Sequence, residues 1–66
     1  MSNPKYRKFV VCIERYRSFG NGDGELYFDP IATPAFLEKD TTQGLLNIKL
    51  GLLSMGLKYS IGEVSP

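Results

Sequence analysis

The sequence has no histidine, no tryptophan and a single cysteine, Cys12. Without histidine, and with only one thiol, the chain cannot assemble a zinc site of the usual cysteine and histidine type or a histidine-dependent triad. One cysteine also excludes an internal disulfide. Because Cys12 lies in the apolar run 9–13, we expect a small buried residue rather than a reactive thiol. These absences exclude those two kinds of site; taken with the weak case for a carboxylate site below, we expect no catalytic residues, no metal ligands and no cofactor.

Long hydrophobic runs are also missing, since Lys49 or a glycine interrupts each apolar stretch and no secretory segment opens the chain. This pattern predicts a cytoplasmic protein without a membrane segment. We assign residues 1–66 to a single domain with a loose N-terminal arm over 1–5. A chain of 66 residues is near the size at which one core only just offsets chain entropy.

Residues 40–59 are the most strongly helical stretch and organise the rest of the chain. Asp40 suits the N-cap, with Gln43 completing a capping box, and Gly56 suits a left-handed C-terminal cap behind which Leu57 folds back. Two apolar seams run along this helix. The first, which we assign to the core, consists of Leu45, Ile48, Leu52 and Met55. The second consists of Leu46, Leu50, Leu53 and Leu57, with Lys49 between the two seams.

A helix on the surface of a small domain needs only one apolar stripe. The second seam therefore predicts a partner, either another copy of this chain or a different protein. We assign the partner-binding role to Leu46, Lys49, Leu50 and Leu53, and we expect a homo-oligomer.

Strand patterns occur both before and after the helix in the sequence. Residues 6–16 read as a strand with Phe9, Val11 and Ile13 on the core face, and the glycine-rich segment 18–24 reads as a hairpin tip. Residues 25–29 form its antiparallel partner, with the solvated residues Glu25, Tyr27 and Asp29 on the face away from Leu26 and Phe28. Short strands are expected at 35–38 and 58–64. The predicted fold is α+β, a small β-β-β-α-β domain with an antiparallel sheet packed on one helix.

Charge is unevenly distributed, although the net charge is only +1. Residues 1–20 carry five cationic side chains against one acid, whereas the remainder carries three against six. Tyrosines alternate with the cations, which is typical of strands that contact nucleic acid. The alternative is a cationic edge strand protected against pairing. Possible nucleic-acid contacts are Lys5, Arg7, Lys8, Arg15, Tyr16 and Arg17.

The acids give a weak case for an enzyme. Glu14 and Asp29 could approach each other across the hairpin and hold a divalent ion, as in ribonuclease-H sites. Such a site requires several acids that converge in one pocket. The alternation of residues 25–29 instead puts their acids on a solvated face, so we expect no enzyme.

Three stretches resemble the N-terminal domain of HicB-type antitoxins: FVVCIE at 9–14, GDGELYF at 22–28, and 39–49, where Lys-Asp-Thr leads into the helix. The chain departs from that family in the proline loop 29–34 and at 43–45, where Gln-Gly-Leu replaces an acidic helix start. The resemblance implies a partial ribonuclease-H-like fold without catalysis, which binds and blocks a toxin ribonuclease of the HicA type.

We therefore expect a small inhibitory protein that neutralises a target enzyme by protein–protein contact. Two alternatives remain open. One is an inhibitor from a phage or mobile element that acts on a host enzyme. The other is a nucleic-acid-binding regulator that uses the basic first strand.

Overall fold

The computed structural model describes residues 5–65, so the predicted loose arm lies outside the described residues except for Lys5. An antiparallel sheet of four strands packs against one helix, which confirms the α+β class and the β-β-β-α-β order. The elements are β1 (Tyr6–Ser18), β2 (Gly24–Ala32), β3 (Ala35–Leu37), a 3-10 turn (Glu38–Asp40), α1 (Thr41–Ser54) and β4 (Tyr59–Val64).

Strand β1 lies at the centre of the sheet. Strands β2 and β3 follow each other along one edge of β1, and β4 pairs along the other edge. The N–H of Phe9 donates to the carbonyl of Pro34 at 3.0 Å and bridges the break between β2 and β3. The edge-strand interpretation of the basic residues is therefore wrong for the first half of β1, where Lys8 pairs with Ala35 on one side and Val64 on the other.

The core lies between the centre of β1 and the C-terminal half of α1. Phe9, Val11 and Ile13 are buried on the helix side of the sheet, as predicted, and Leu52 of α1 packs against the last two. Alternate β-branched and aromatic residues of a strand point to one face, so β1 can fill a core from one side. Around this centre pack the half-buried side chains of Ile48, Leu57, Tyr59 and Ile61.

The C-terminal end of α1 has the predicted cap. Gly56 has a positive φ of 71°, its N–H donates to the carbonyl of Leu53 at 3.0 Å, and the N–H of Leu57 donates to Leu52 at 3.1 Å. This pair of bonds is the Schellman motif. The helix consequently ends at Ser54 with Met55 as its C-cap, as the predicted cap at Gly56 requires.

The predicted capping box at the other end is wrong. Asp40 occupies the N-cap position but makes no side-chain cap bond, because the preceding 3-10 turn gives it φ −102° and ψ −1° instead of the extended conformation that a capping side chain needs. The Thr41 hydroxyl donates to the carbonyl of Leu37 at 3.1 Å. The Gln43 amide donates along the helix to Asn47 at 2.9 Å.

The hairpin between β1 and β2 closes with a five-residue loop. Ser18 pairs with Gly24, the N–H of Phe19 donates to the carbonyl of Asp23 at 3.0 Å, and the Asp23 N–H donates to the Asn21 side chain at 3.1 Å. Two loop glycines adopt positive φ angles of 84° and 89°. An odd loop length fixes the register so that odd-numbered residues of β1 face odd-numbered residues of β2 as far as Cys12, beyond which the register shifts and Val11 pairs with Ala32.

This register reverses the expected role of the two faces of β2. Because Ile13 pairs with Asp29, the side chains of Asp29 and Tyr27 point to the helix side, and Leu26 and Phe28 point away from it. Leu26 and Phe28 are therefore outside the core, with exposures of 65% and 50%. The sequence pattern had predicted the reverse, with the solvated residues facing away from the core.

Beyond Ile13, β1 and β2 continue as a two-stranded arm over residues 14–28, because β4 begins at Tyr59 opposite Ile13. This hairpin arm makes the molecule long and thin, with extents of 59 × 26 × 11 Å. The radius of gyration is 15.4 Å. A compact chain of this length has a radius of gyration of about 11 Å.

Candidate functional site

The outer surface of α1 carries the predicted partner-binding residues. Leu46, Leu50 and Leu53 lie on one helix face with Lys49 beside them, and we call these four residues the leucine surface. Leu50 and Leu53 are 55% and 60% exposed, and no described residue covers them. Leu52, next to Leu53 in sequence, is only 4% exposed. The helix thus packs through one seam and presents the other to solvent.

The two predicted seams are separated cleanly in the structure, with two exceptions at the C-terminal end of the helix. Leu45 and Ile48 are half-buried beside the sheet, in line with a core role. Met55 was assigned to the core seam but is 64% exposed, since it lies at the C-cap beyond the edge of the sheet. Leu57 was assigned to the outer seam but turns back onto the core through the Schellman motif.

A second exposed apolar surface lies on the side of the sheet opposite the helix. We call it the back face and define it by the even-numbered residues of β1: Tyr6, Lys8, Val10, Cys12, Glu14 and Tyr16. Leu26 and Phe28 of β2 extend it along the hairpin arm. Cys12 lies on this face and is half-buried, whereas the sequence predicted a buried residue. Its two neighbours on the same face are the half-buried Val10 and Glu14.

The Tyr16 ring on this face lies directly over Gly24, where a Cβ atom would collide with the ring and approach the Arg17 carbonyl at 2.7 Å. The close approach explains why glycine begins β2. A larger residue at this position would push the tyrosine ring off the arm. The aromatic ring is otherwise well exposed.

The opposite side of the hairpin arm is covered with paired charges. Arg15 contacts Asp29 at 2.8 Å and Arg17 contacts Glu25 at 3.5 Å, each across the two strands. The Arg17 guanidinium also lies 4.5 Å from the centre of the Tyr27 ring. Arg17 is directly opposite Glu25, and Arg15 is diagonal to Asp29. Opposite charges at facing or diagonal positions of an antiparallel pair stabilise it modestly. The arm is therefore amphipathic, with a solvated charged side and an apolar side.

Arg7 is also paired, at the other end of β1. Its guanidinium donates two hydrogen bonds to the Glu63 carboxylate, at 2.6 and 3.2 Å, and lies 5.3 Å from the centre of the Phe9 ring. These hydrogen bonds lower the pKa of Glu63 and raise the pKa of Arg7. Both groups are exposed, so this ion pair connects β4 to β1 but contributes little to stability.

The six residues predicted to contact nucleic acid do not form one patch. Arg7, Arg15 and Arg17 are on the helix side, each in contact with a carboxylate, whereas Lys8 and Tyr16 are on the back face. Lys5 precedes β1 and is exposed. Ion pairing reduces the positive potential that these arginines can offer to a phosphate backbone.

Glu14 and Asp29 lie on opposite faces of the sheet, because Glu14 pairs with Phe28 and Asp29 pairs with Ile13. The divalent-ion arrangement considered from the sequence is therefore not formed. Among residues 5–65 no group of three or more acids, cysteines or histidines is placed to hold a metal ion. Likewise, no helix within that range has the length and apolar content that a membrane crossing requires.

Sequence reasoning located the leucine surface and missed the back face. The signal that would have identified the back face is the parity of the hairpin loop. A two-residue Asn-Gly turn would pair odd with even residues and place Leu26 and Phe28 over the core. The five-residue loop instead pairs even with even residues and turns Leu26 and Phe28 away from the core.

Comparison of the chain with protein-family models, curated proteins and solved structures finds no match.

Proposed function

We propose that this chain is a small inhibitory protein that neutralises a target enzyme by protein–protein contact through the leucine surface of α1. The supporting observation is that Leu46, Leu50 and Leu53 stand exposed side by side on one helix. Spacings of four and three residues are those of an amphipathic helix that docks into an apolar groove. The exposed leucines of this helix face therefore support the proposed partner contact.

The energetic argument favours burial of this surface against another protein. Fully burying a leucine side chain contributes about 1.5–3 kcal/mol, so three half-exposed leucines offer roughly 3 kcal/mol together. Lys49 lies within this face, and its long aliphatic stem can be covered while the ammonium group stays at the rim. A target groove lined with apolar residues and rimmed by a carboxylate would match this arrangement.

The resemblance to HicB-type antitoxins supports a toxin ribonuclease as the target. An inhibitor from a phage or mobile element that blocks a host enzyme would use the same mode of contact, so the target's identity separates these two readings. The nucleic-acid alternative has less support, because three of its arginines already contact carboxylates.

Capture experiments at low and high salt test the proposal. The tagged wild-type chain is compared with Leu50→Asp, and with Phe28→Asp as a matched control that adds the same charge at a similarly exposed residue on the other side of the molecule. We expect the wild type and the Phe28→Asp control to retain a stoichiometric amount of one enzyme at high salt. Leu50→Asp is expected not to retain it.

The identity of the captured enzyme then distinguishes a toxin ribonuclease from another host enzyme. The contrary result is nucleic acid that is released as salt rises, with no protein partner. Phosphate contacts release counterions and are strongly salt-dependent, so this outcome would move the function to the cations of β1.

A further inference from the structure

The back face combines exposed apolar side chains with one charge of each sign. Lys8 and Glu14 are the charged residues of its β1 row, and they lie on either side of Val10 and Cys12. A surface that binds a charged macromolecule would carry an excess of one sign. The β1 row of this surface is neutral and has its two opposite charges at the two ends of an apolar centre.

We propose that the back face is a homodimer interface, in which two copies pack sheet against sheet about a two-fold axis that crosses β1 at Val11, perpendicular to the strand. Lys8 and Glu14 are each three residues from Val11, which is about 10 Å along a strand. The axis therefore places Lys8 opposite the partner's Glu14, and Glu14 opposite the partner's Lys8. The charge pattern is self-complementary about this one axis.

The neighbouring strands obey the same symmetry. Leu26 pairs with Tyr16 and Leu37 pairs with Tyr6, and both tyrosines are five residues from Val11. The axis consequently lays Leu26 over the partner's Leu37.

The axis also places Phe28 over the partner's Ala35. Phe28 pairs with Glu14 and Ala35 pairs with Lys8, and these two β1 residues are equally far from Val11. A large aromatic ring thus meets a small residue, which is the complementarity that sheet packing requires. On the other edge, Gly62 and Ser60 pair with Val10 and Cys12, so small residues of β4 face each other across the interface.

The outline of the face leaves room for an interface. Extents of 59 and 26 Å enclose the face in a rectangle of roughly 1,500 Å², of which the narrow hairpin arm fills only part, and a stable interface needs about 800 Å² from each partner. A two-stranded hairpin is only marginally stable in water, so covering the apolar side of the hairpin arm also supplies the packing that the arm lacks in a single copy.

Sedimentation equilibrium over a concentration series tests the interface. We expect the wild type to sediment as a dimer at micromolar concentrations and Phe28→Asp to dissociate at least a hundredfold more readily. Leu53→Asp, which adds the same charge on the leucine surface, is expected to remain dimeric. A monomeric wild type would overturn the proposal, as would dissociation caused by Leu53→Asp and not by Phe28→Asp.

A charge exchange tests the axis itself and does not depend on Phe28. Lys8→Glu places two like charges together in each of two contacts and is expected to raise the dimer dissociation constant by about tenfold or more. The double variant Lys8→Glu/Glu14→Lys restores opposite charges and is expected to dimerise as the wild type does. A double variant as weak as Lys8→Glu would refute the axis, and circular dichroism confirms that each variant is folded.

Thiol labelling gives an independent readout, because Cys12 is the only cysteine of the chain. Cys12 is one residue from the axis at Val11, so dimerisation shields its thiol at the centre of the interface. Slower reaction with a maleimide is expected in wild type and Leu53→Asp than in Phe28→Asp. Equal labelling rates in the three proteins, at a concentration where the wild type is expected to be dimeric, would contradict the interface.

Discussion

Replacement of Leu52 by alanine removes the least exposed apolar side chain of α1, which packs against Val11 and Ile13. The change deletes about three methylene equivalents at about 0.8 kcal/mol each and leaves a cavity, so we expect a loss of about 3 kcal/mol in the free energy of unfolding. A domain of this length has roughly 3–10 kcal/mol in total. Leu52→Ala should therefore leave a chain near the limit of stability.

Leu53→Ala provides the control within the same helix turn. Leu53 is 60% exposed, so the same atoms are removed without a cavity, and we expect a change within about 0.5 kcal/mol. Urea denaturation followed by circular dichroism measures both variants, at one protein concentration because dimerisation adds to apparent stability. Equal losses in the two variants would contradict this assignment of buried and exposed seams, and a larger loss for Leu53→Ala would show that α1 packs through the other seam.

Three further predictions concern glycines and an ion pair. Gly51→Ala is expected to stabilise the chain by about 0.5–1 kcal/mol, because this helical position has room for a Cβ atom. Gly56→Ala is expected to destabilise it by about 1–2 kcal/mol, because Gly56 has a positive φ. Thermal unfolding of the two variants measures both changes. Gly24→Ala is expected to loosen the hairpin arm by displacing the Tyr16 ring, seen as faster amide exchange in the arm alone. Arg7→Gln should raise the pKa of Glu63 towards its ordinary value, as measured by an NMR titration. Because the pKa of Glu63 is lowered in the folded chain, the stabilisation from the ion pair is present above pH 4.5 and is lost as the pH falls through the folded-state pKa. A Glu63 pKa that is unchanged in Arg7→Gln would contradict this cause.

The sequence was sufficient for the order of elements and for the core of β1 and α1. Periodicity locates these segments because a period of two and a period near 3.6 each specify which side chains share a face. The cap at Gly56 was equally predictable, since a left-handed residue followed by leucine satisfies both backbone and packing requirements. The N-cap was not, because the 3-10 turn before Thr41 depends on how β3 joins the sheet.

The register of the hairpin could not be read from its residues. SFGNGDG contains two pairs, Asn-Gly and Asp-Gly, that each favour a tight turn, and the register depends on which residues close the loop. A slip of one residue turns every side chain of β2 to the other face. The back face therefore emerges only from the three-dimensional structure, whereas the leucine surface follows from helical periodicity alone.

The most direct test of the proposed function is a titration of the captured enzyme's activity with the wild-type chain and with Leu50→Asp. We predict complete inhibition by wild type at one binding site per enzyme, and at least a hundredfold higher concentration for the same effect with Leu50→Asp. Inhibition of equal strength by Leu50→Asp would contradict the role of the leucine surface. An enzyme that stays fully active in the complex would contradict inhibition itself.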